Sequence, residues 1–557
     1  MNATTVMERS EAQTERQAGG APAALIERLG AIVGPEAVLT SFEERQFHSL
    51  DFSEQPGETA IAVVRPSTSE QVAQVVRAAA AAGVAVNTRG GGMSYTRGHV
   101  PVRPQTIVID ASGLNRVLEV NTVDRYVSLE TGVRWVDLRA ALQGTGYRVP
   151  YLGTLSGNFA TIGGGLSQNA TGMGRMTLAE HVLGLEVVLG DGSVLKTGSW
   201  ATRGTAPFYR YNGPDLTGMF LCDSGAFGIK TKVHLLLEPW PKMSFGCVTF
   251  DTRVALTQAQ AEMAQTGLHT EAFAFDGYFV NEYAHHPPVP KEERQRMVRQ
   301  FIADNPNKLR AVRNLLRVWH PSGLGFLKGL PNAMYYVAEA HDQAAADRAA
   351  AAIMRICRKH GARALPTTIP FGLRYGPYLD VGDIMANRQG EVNFPINAKF
   401  PASKAVDAMR AFEAFVADNK AVLEQHGIRV ACNSLLHGHF WGIEPVVFWR
   451  RPLGPYRMHY ATEDRRARTQ GIEENPEATA AALDFGYRMQ RMFRDMGSLH
   501  VQWAKAYPFA EALDGETAWT LLEKLKDATD PRHTLNPGVL GLGLDADRNA
   551  AAQGDSQ

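Results

Sequence analysis

The sequence predicts an α+β protein built as two lobes, and three observations carry that prediction. The chain has 557 residues, 45% of them hydrophobic and 20% charged, which is enough to bury more than one core. Between Thr59 and Gly98 it reads strand, helix, strand and glycine-rich loop. After "LLLEPWP" the texture changes to long helical stretches alternating with strand-like runs, so a first lobe over 21–241 is followed by a second over 242–499.

The elements follow in order. Residues 1–20 and 542–557 are polar and are expected to be tails. "TAIAVVRP" is an apolar run closed by Pro66, a strand. "STSEQVAQVVRAAAAAG" follows, with a capping box at Ser67 and Glu70, apolar residues at helical spacing (Val72, Val75, Val76, Ala79) and a stop at Gly83. "VAVNTRGGG" is then a strand that delivers three glycines to a loop. "TIVIDAS" and "YVSLETG" read as strands and "WVDLRAALQGTGY" as a helix. "LGLEVVLGDGSVLKTG" is a hairpin turning at Asp191-Gly192, a dipeptide that tolerates positive φ. In the second lobe "QAAADRAAAAIMRICRKHG" and "SKAVDAMRAFEAFVADNKAVLEQHG" are helical, and "EVNFPINAKF" and "IRVACNSLLHGHF" are strand-like.

Composition excludes several function classes. Lys+Arg and Asp+Glu are both 57, so no global field recommends nucleic acid or an anionic membrane. The four cysteines, Cys222, Cys247, Cys357 and Cys432, are far apart and form no CxxC or zinc spacing. Free thiols in a reducing compartment fit, and no run approaches the roughly 18 apolar residues of a spanning helix; a cytoplasmic location without a transmembrane segment is expected. The stretch from Lys291 to Arg317 carries eight Lys/Arg against three acids with Phe301, Leu309, Leu315 and Leu316 interleaved and Val318 and Trp319 just beyond, a solvated helix face or a docking patch for a membrane or an acidic partner.

"NTRGGGMSYTRG", Asn87 to Gly98, singles out the first lobe. Three glycines can turn successive backbone N–H groups onto one concave face with no Cβ to block an anion. The spacing is neither GxGxxG opening a helix nor a P-loop, and alone it equally describes a tight turn. A second cluster, "GNFATIGGGLSQNATGMG" from Gly157 to Gly174, makes a pair of hydroxyl-bearing loops able to clasp a long dinucleotide.

These segments, with "LEVVLGDGSVLKTG" and "GPDLTGMFLCDSGAFGIKTKVHLLLEP", stand in the order seen in the FAD-binding domain of the vanillyl-alcohol oxidase/p-cresol methylhydroxylase superfamily, which the chain resembles over about 58–241. "LLEKLKDATDPRHTLNPGVLG" resembles the segment with which its glycolate and D-lactate dehydrogenase branch returns to the flavin domain, giving a return over 500–541. The resemblance implies a two-lobed PCMH-type FAD-binding domain with an α+β substrate (cap) domain. It implies FAD as cofactor, a small-molecule substrate, and oxygen or an external electron acceptor. It further implies that Arg89, Gly90, Gly91, Gly92, Met93, Ser94 and Tyr95 wrap the pyrophosphate and that Thr161, Ile162, Gly163, Gly164, Ser167, Asn169 and Gly172 line the second side. Gly228 and Ile229 would meet the adenine-ribose or flavin region; Arg89 has a structural salt bridge as its alternative role. Many relatives carry a flavin-linking histidine, as "RGGHS", where this chain has Met93. A thioether is not the nucleophile of that linkage, so non-covalent FAD is expected, with His437, His439, His459 and Tyr460 the candidates for a link from the second lobe.

The cap should supply a base and an anchor. In "NSLLHGHFWG", His437 and His439 are two apart on an expected strand and would share one face, which suits a base with an orienting partner or a divalent metal, or simply histidines bonded within a sheet. That segment loosely matches a "GHxGDGNxH" pattern of the glycolate/D-lactate branch but lacks "GDGN". "GSLHVQWAKAYPF" resembles its "EHGIGxxK" segment, making His500 a proton acceptor and Lys505 a carboxylate anchor or a surface charge. Arg374, in "PFGLRYGPY", needs an anion, either the substrate carboxylate or a structural one. Tyr375 or Tyr460 would stabilise a phenolate.

The resulting expectation is an FAD-dependent oxidoreductase that removes a hydride from a 2-hydroxy acid. Para-substituted phenols or aromatic alcohols are the alternative substrates, and a flavin-binding protein without turnover is the alternative of another class. A non-redox, FAD-assisted enzyme like alkyl-dihydroxyacetone-phosphate synthase shares the same glycine-loop form. A homo-oligomer is compatible with all of these.

Overall fold

The computed structural model describes residues 23–284, 291–304, 325–378 and 381–544. The tail expected at 1–20, nearly all of that expected at 542–557, and the basic segment beyond Asp304 lie outside the described residues.

The first lobe holds two main sheets, beside the two-stranded pairs Tyr147–Arg148 with Glu238–Pro239 and Tyr151–Gly153 with Met173–Gly174. A four-stranded sheet runs Val38–Leu39, Ala62–Val64, Thr106–Asp110, Ala85–Arg89. The helix Ser69–Ala81 joins the second and fourth of these and buries Val72, Val75, Val76 and Ala79 against them. The strand–helix–strand pattern is therefore present, but Thr106–Asp110 inserts between the two strands, parallel to both. The helix cap lies one residue later than the sequence suggests: Thr68 accepts from the Gln71 N–H at 3.2 Å, while Ser67 bonds the Gln71 side chain. A five-stranded antiparallel sheet runs Val194–Lys196, Val182–Val188, Ile229–Leu236, Tyr126–Glu130, Val117–Asn121. Its first two strands form the expected hairpin, with Gly192 at φ 76° and the Asp191 carboxylate accepting from Ser193 N–H.

The second lobe is one antiparallel sheet of eight strands that begins with Lys242–Thr249. Helices Arg253–Ala264, Gln343–Lys359, Ala405–Asp418 and Pro476–Asp495 cover one face, where Leu256, Ile353, Phe412, Phe485 and Trp441 form the largest core. The registers Phe275↔Asn433, Phe273↔Leu435, Asn433↔Glu444 and Leu435↔Gly442 place these residues together on the other face. Pairing Glu271↔His437 and Glu271↔Val337 puts Glu271, His437 and Glu339 there as well. That face turns towards the first lobe. The C-terminal segment returns as expected: Leu535 bridges Val86, and Asn536 N–H donates to the Val86 carbonyl at 2.7 Å.

A buried ion network clamps the lobes. Arg148 of the first lobe donates to Glu339 at 2.8 Å and to Glu238 at 2.9 Å. Arg374 lies 3.2 Å from Glu271 and 3.6 Å from Glu339, and Glu271 accepts from the Gly174 N–H. Burial alone would push the Glu339 carboxyl up, yet Arg148 and Arg374 hold it below its ordinary value. Among described residues no helix is long and apolar enough to cross a membrane.

Glu339→Gln should lower stability by about 3–5 kcal/mol, because it leaves two guanidiniums buried against one fewer carboxylate. A depressed carboxylate stabilises the fold above its unfolded pKa, so the deficit in the urea unfolding midpoint should be full near neutrality and shrink as pH falls below roughly 4.

Candidate functional site

The strand Ala85–Arg89 runs directly into the first glycine loop, where Gly92 takes φ 75°. In the second loop Thr161 caps the helix Ile162–Gln168, its Oγ1 accepting from Gly164 N–H at 3.3 Å, and Gly163 to Gly165 make a first turn without Cβ atoms. The two loops touch. A Cβ on Gly90 would strike Thr161 Oγ1, and one on Gly91 would run into the carbonyl of Phe159. A Cβ on Gly163 would come within 2.7 Å of the Thr131 side chain. The close approach that the first loop's glycines permit is therefore, first of all, that of the second loop.

Together the loops wall a cavity of about 2210 Å³ that continues onto the open face of the cap sheet. Binding pockets commonly occupy roughly 300–1,000 Å³, so this space has room for a dinucleotide and a further small molecule. Its wall carries polar atoms with no partner in the protein: Thr171 Oγ1, Ser224 Oγ, Asn433 Oδ1 and Gln502 Oε1 are all buried and unbonded. Each such atom costs about 1–3 kcal/mol unless a bound polar group completes it. Side-chain-free loops with orphaned hydroxyls, Thr171 Oγ1 and Ser224 Oγ, able to donate to phosphate oxygens fit a phosphate-bearing dinucleotide.

The expected cofactor residues separate into two sets. Gly90, Gly91, Gly92, Met93, Ser94 and Tyr95 line the cavity, as do Thr161, Gly163, Gly164, Ser167, Gly172, Gly228 and Ile229. Three stand off its wall. Ile162 is fully buried in the core beside Trp135 and Leu166, and Asn169 is the left-handed C-cap of the helix at φ 48°. Arg89 is buried under the loop with its guanidinium 5.0 Å from the Phe47 ring and 3.5 Å from the Tyr460 hydroxyl.

The expected catalytic residues are not brought together. His437 ends the strand Arg429–His437, fully buried against Phe273, and burial pushes its imidazole down to about 3. His439 does not share its face: Gly438, at φ 54°, and His439 form the hairpin turn, which leaves His439 exposed. A two-residue hairpin turn wants positive φ, and the glycine between the histidines supplies it. His500 is buried, its Nδ1 2.7 Å from the Asn397 carbonyl and its ring on Tyr507, and burial pushes it down to about 4. Lys505 donates to the carbonyls of Gly98 and Val100 at 3.2 and 2.8 Å, and burial pushes its ammonium down to about 7. Arg374 is ion-paired with Glu271 and Glu339, its nitrogens making no hydrogen bond among the described residues, and it does not line the cavity. Tyr460 packs edge-on to Phe159 above the first loop, beside His459 and Tyr456, whose hydroxyl donates to the Gly92 carbonyl. Among described residues no group of three or more His, Cys, Asp or Glu gathers as for a metal ion.

The most informative wall residue is one the sequence reading passed over. Glu444 lies in the strand Phe440–Arg450, opposite Asn433, whose Nδ2 is 3.5 Å from its carboxylate. Burial pushes its carboxyl up to about 7 against that hydrogen bond. Asn397 ties the surroundings together: its Nδ2 reaches the Tyr95 hydroxyl at 3.4 Å and its N–H donates to the Tyr507 hydroxyl at 3.1 Å. One acidic residue inside the otherwise apolar run "FWGIEPVVFW" was the available signal.

The family profile described as FAD binding domain matches residues 60–198. These residues form an FAD binding domain. The chain is 34% identical over 218 residues to an uncharacterized FAD-linked oxidoreductase of Mycobacterium tuberculosis, covering 38% of this chain and 45% of the relative. It is 27% identical to a glycolate oxidase subunit of Bacillus subtilis (43% of this chain, 49% of the relative) and 30% identical to a mitochondrial D-2-hydroxyglutarate dehydrogenase of Rattus norvegicus (37% and 38%). The matches thus span less than half the length of these relatives. The fold extends further. The 4-ethylphenol oxidase of Gulosibacter chungangensis superposes with a TM-score of 0.68 at 18% identity, over 94% of this chain and 98% of that one. p-Cresol methylhydroxylase does so with a TM-score of 0.68 at 17% identity, over 95% and 98%. The PCMH-type fold expected from the sequence is the one observed, cap included.

Gly91→Ala should force the two loops apart, an overlap that costs about 1–3 kcal/mol. The expected result is at least a severalfold loss of affinity in a titration of the full-length apoprotein with FAD, with unchanged far-ultraviolet circular dichroism.

Proposed function

We propose that the protein is an FAD-dependent oxidoreductase that takes a hydride from a small aromatic alcohol or para-substituted phenol. The observation that carries this reading is the continuity of one cavity from the paired glycine loops to the aromatic face of the cap sheet. Gly90 to Ser94 with Thr161, Gly163 and Gly164 would hold the pyrophosphate, with Ser224, Gly228 and Ile229 at the far side. Bound FAD supplies the electron sink, accepting a hydride at N5. The cap presents Phe273, Phe275, Tyr278 and Phe448 to the same space, flat apolar surface that suits a planar substrate. Arg374, the carboxylate anchor that a 2-hydroxy acid would need, is neutralised by Glu271 and Glu339.

Oxidation of a 2-hydroxy acid is the second reading, favoured by relatives named for glycolate and D-2-hydroxyglutarate. Those names speak for less than half of the chain. Met93 on the cavity wall offers no nucleophile to the flavin, which supports dissociable FAD.

Anaerobic mixing of the holoprotein with benzylic alcohols, para-alkylphenols and 2-hydroxy acids tests the assignment. Bleaching of the flavin by the first two classes, and slower or no bleaching by the third, is expected; the reverse order makes the second reading correct. After acid precipitation the yellow colour should remain in the supernatant, whereas colour in the pellet requires a covalent link.

A further inference from the structure

We infer that Glu444 is the catalytic base of this site, accepting the hydroxyl proton of the substrate as its hydride departs. The inference rests on the oxidoreductase reading above and names the residue that completes its chemistry.

Position comes first. Loss of a hydride from a carbinol carbon leaves the hydroxyl proton to be taken up nearby. Tyr95 follows the first glycine loop directly, so whatever surrounds Tyr95 lies beside the cofactor cradle. The groups that do so arrive from three separate parts of the chain: Asn397, Asn433 and Glu444 from the cap sheet and Tyr507 from the C-terminal segment. Glu444 raises both Tyr95 and Tyr507 electrostatically, which places its carboxylate within their field. Glu444, Asn433 and Tyr95 all line the cavity.

Charge state comes second. Burial pushes both phenols above their ordinary value, so Tyr95 and Tyr507 stay neutral. Glu444 is then the member of the cluster that changes charge near neutrality, and Asn433 donates to its ionised form.

The step balances. The substrate O–H bond breaks and its proton passes to the Glu444 carboxylate, the C–O bond becomes a carbonyl, and the C–H electron pair leaves with the hydrogen to oxidised flavin, the two-electron acceptor. A consequence for specificity follows. A carboxylate on the carbon being oxidised would lie against ionised Glu444, so neutral alcohols are accepted and acids resisted.

The test uses holoprotein with benzyl alcohol as substrate and benzoate as a non-reacting probe. In the wild type, the rate of anaerobic flavin bleaching should rise with pH through about 7 and then level, because the base works only when ionised. Glu444→Gln should slow bleaching by about a hundredfold or more and flatten that profile at unchanged FAD content, and Glu444→Asp should restore part of both. Binding supplies a readout independent of turnover. Benzoate affinity, measured by calorimetry, should fall across the same pH range in the wild type, and Glu444→Gln should abolish that fall. Bleaching in Glu444→Gln at the wild-type rate, or a benzoate profile that survives the substitution, overturns this inference alone. No bleaching of the wild type by any alcohol, phenol or 2-hydroxy acid overturns the oxidoreductase reading and this one with it.

Discussion

Two stretches of backbone pressed together without a Cβ between them are the constraint on which the site depends. The first extends the parallel strand Ala85–Arg89; the second is hydrogen-bonded to the end of the antiparallel strand Tyr126–Glu130, through Gly163 N–H to the Thr131 carbonyl at 2.7 Å and Ile162 N–H to the Val133 carbonyl at 2.9 Å. The first loop thus continues one sheet, and the second is bonded to the end of a strand of the other. Glycine is required at Gly90, Gly91 and Gly163 by this packing. The cavity wall is a by-product of it: backbone that has no side chains to fill the groove leaves a groove.

Such a loop has little core of its own, so its shape must be imposed from outside. Three elements impose it. From the cap, Tyr456 holds the Gly92 carbonyl, and Tyr456 is itself fixed because Glu54 binds Arg451 at 2.7 Å and the Arg457 N–H at 2.9 Å at the start of the helix Pro455–Tyr460. From the C-terminal segment, Lys505 ties down Gly98 and Val100 with its side chain and Thr96 with its backbone. The second loop supplies the third contact. A binding surface held from three sides is ordered before its ligand arrives, which removes an entropic cost that a loose loop would carry into binding.

Much of this was legible along the chain because it is local. The helix Ser69–Ala81, the Asp191-Gly192 hairpin and the glycine loops all follow from spacing and turn chemistry within a few residues. What was not legible is non-local. Arg374 meets Glu271 and Glu339 across sheet strands, and Arg148 reaches Glu339 from the other lobe; no linear pattern links residues so far apart, so Arg374 read as a candidate anchor. The parallel strand Thr106–Asp110 entered between two strands that are consecutive in sequence, for the same reason. The histidine pair failed locally. An alternation of period two holds only while the strand lasts, and Gly438 ends it one residue before His439. Glu444 was visible as an acid in an apolar strand, but its importance depends on partners from three regions of the chain.

The cap sheet carries carboxylates in two conditions on one face, and their difference divides structure from chemistry. Glu271 and Glu339 are buried beside two guanidiniums, which hold the Glu339 charge permanently and bind the lobes together. Glu444, a few strand positions away, has an amide in place of a cation, and burial acts on it with little opposition. Pairing fixes the Glu339 charge, whereas burial beside Glu339 raises Glu271 in spite of Arg374; Glu444, partnered only by an amide, has a proton exchangeable near neutral pH. Which acid on this face keeps a permanent charge therefore depends on how many guanidiniums reach it: two at Glu339 and, among the described residues, none at Glu444.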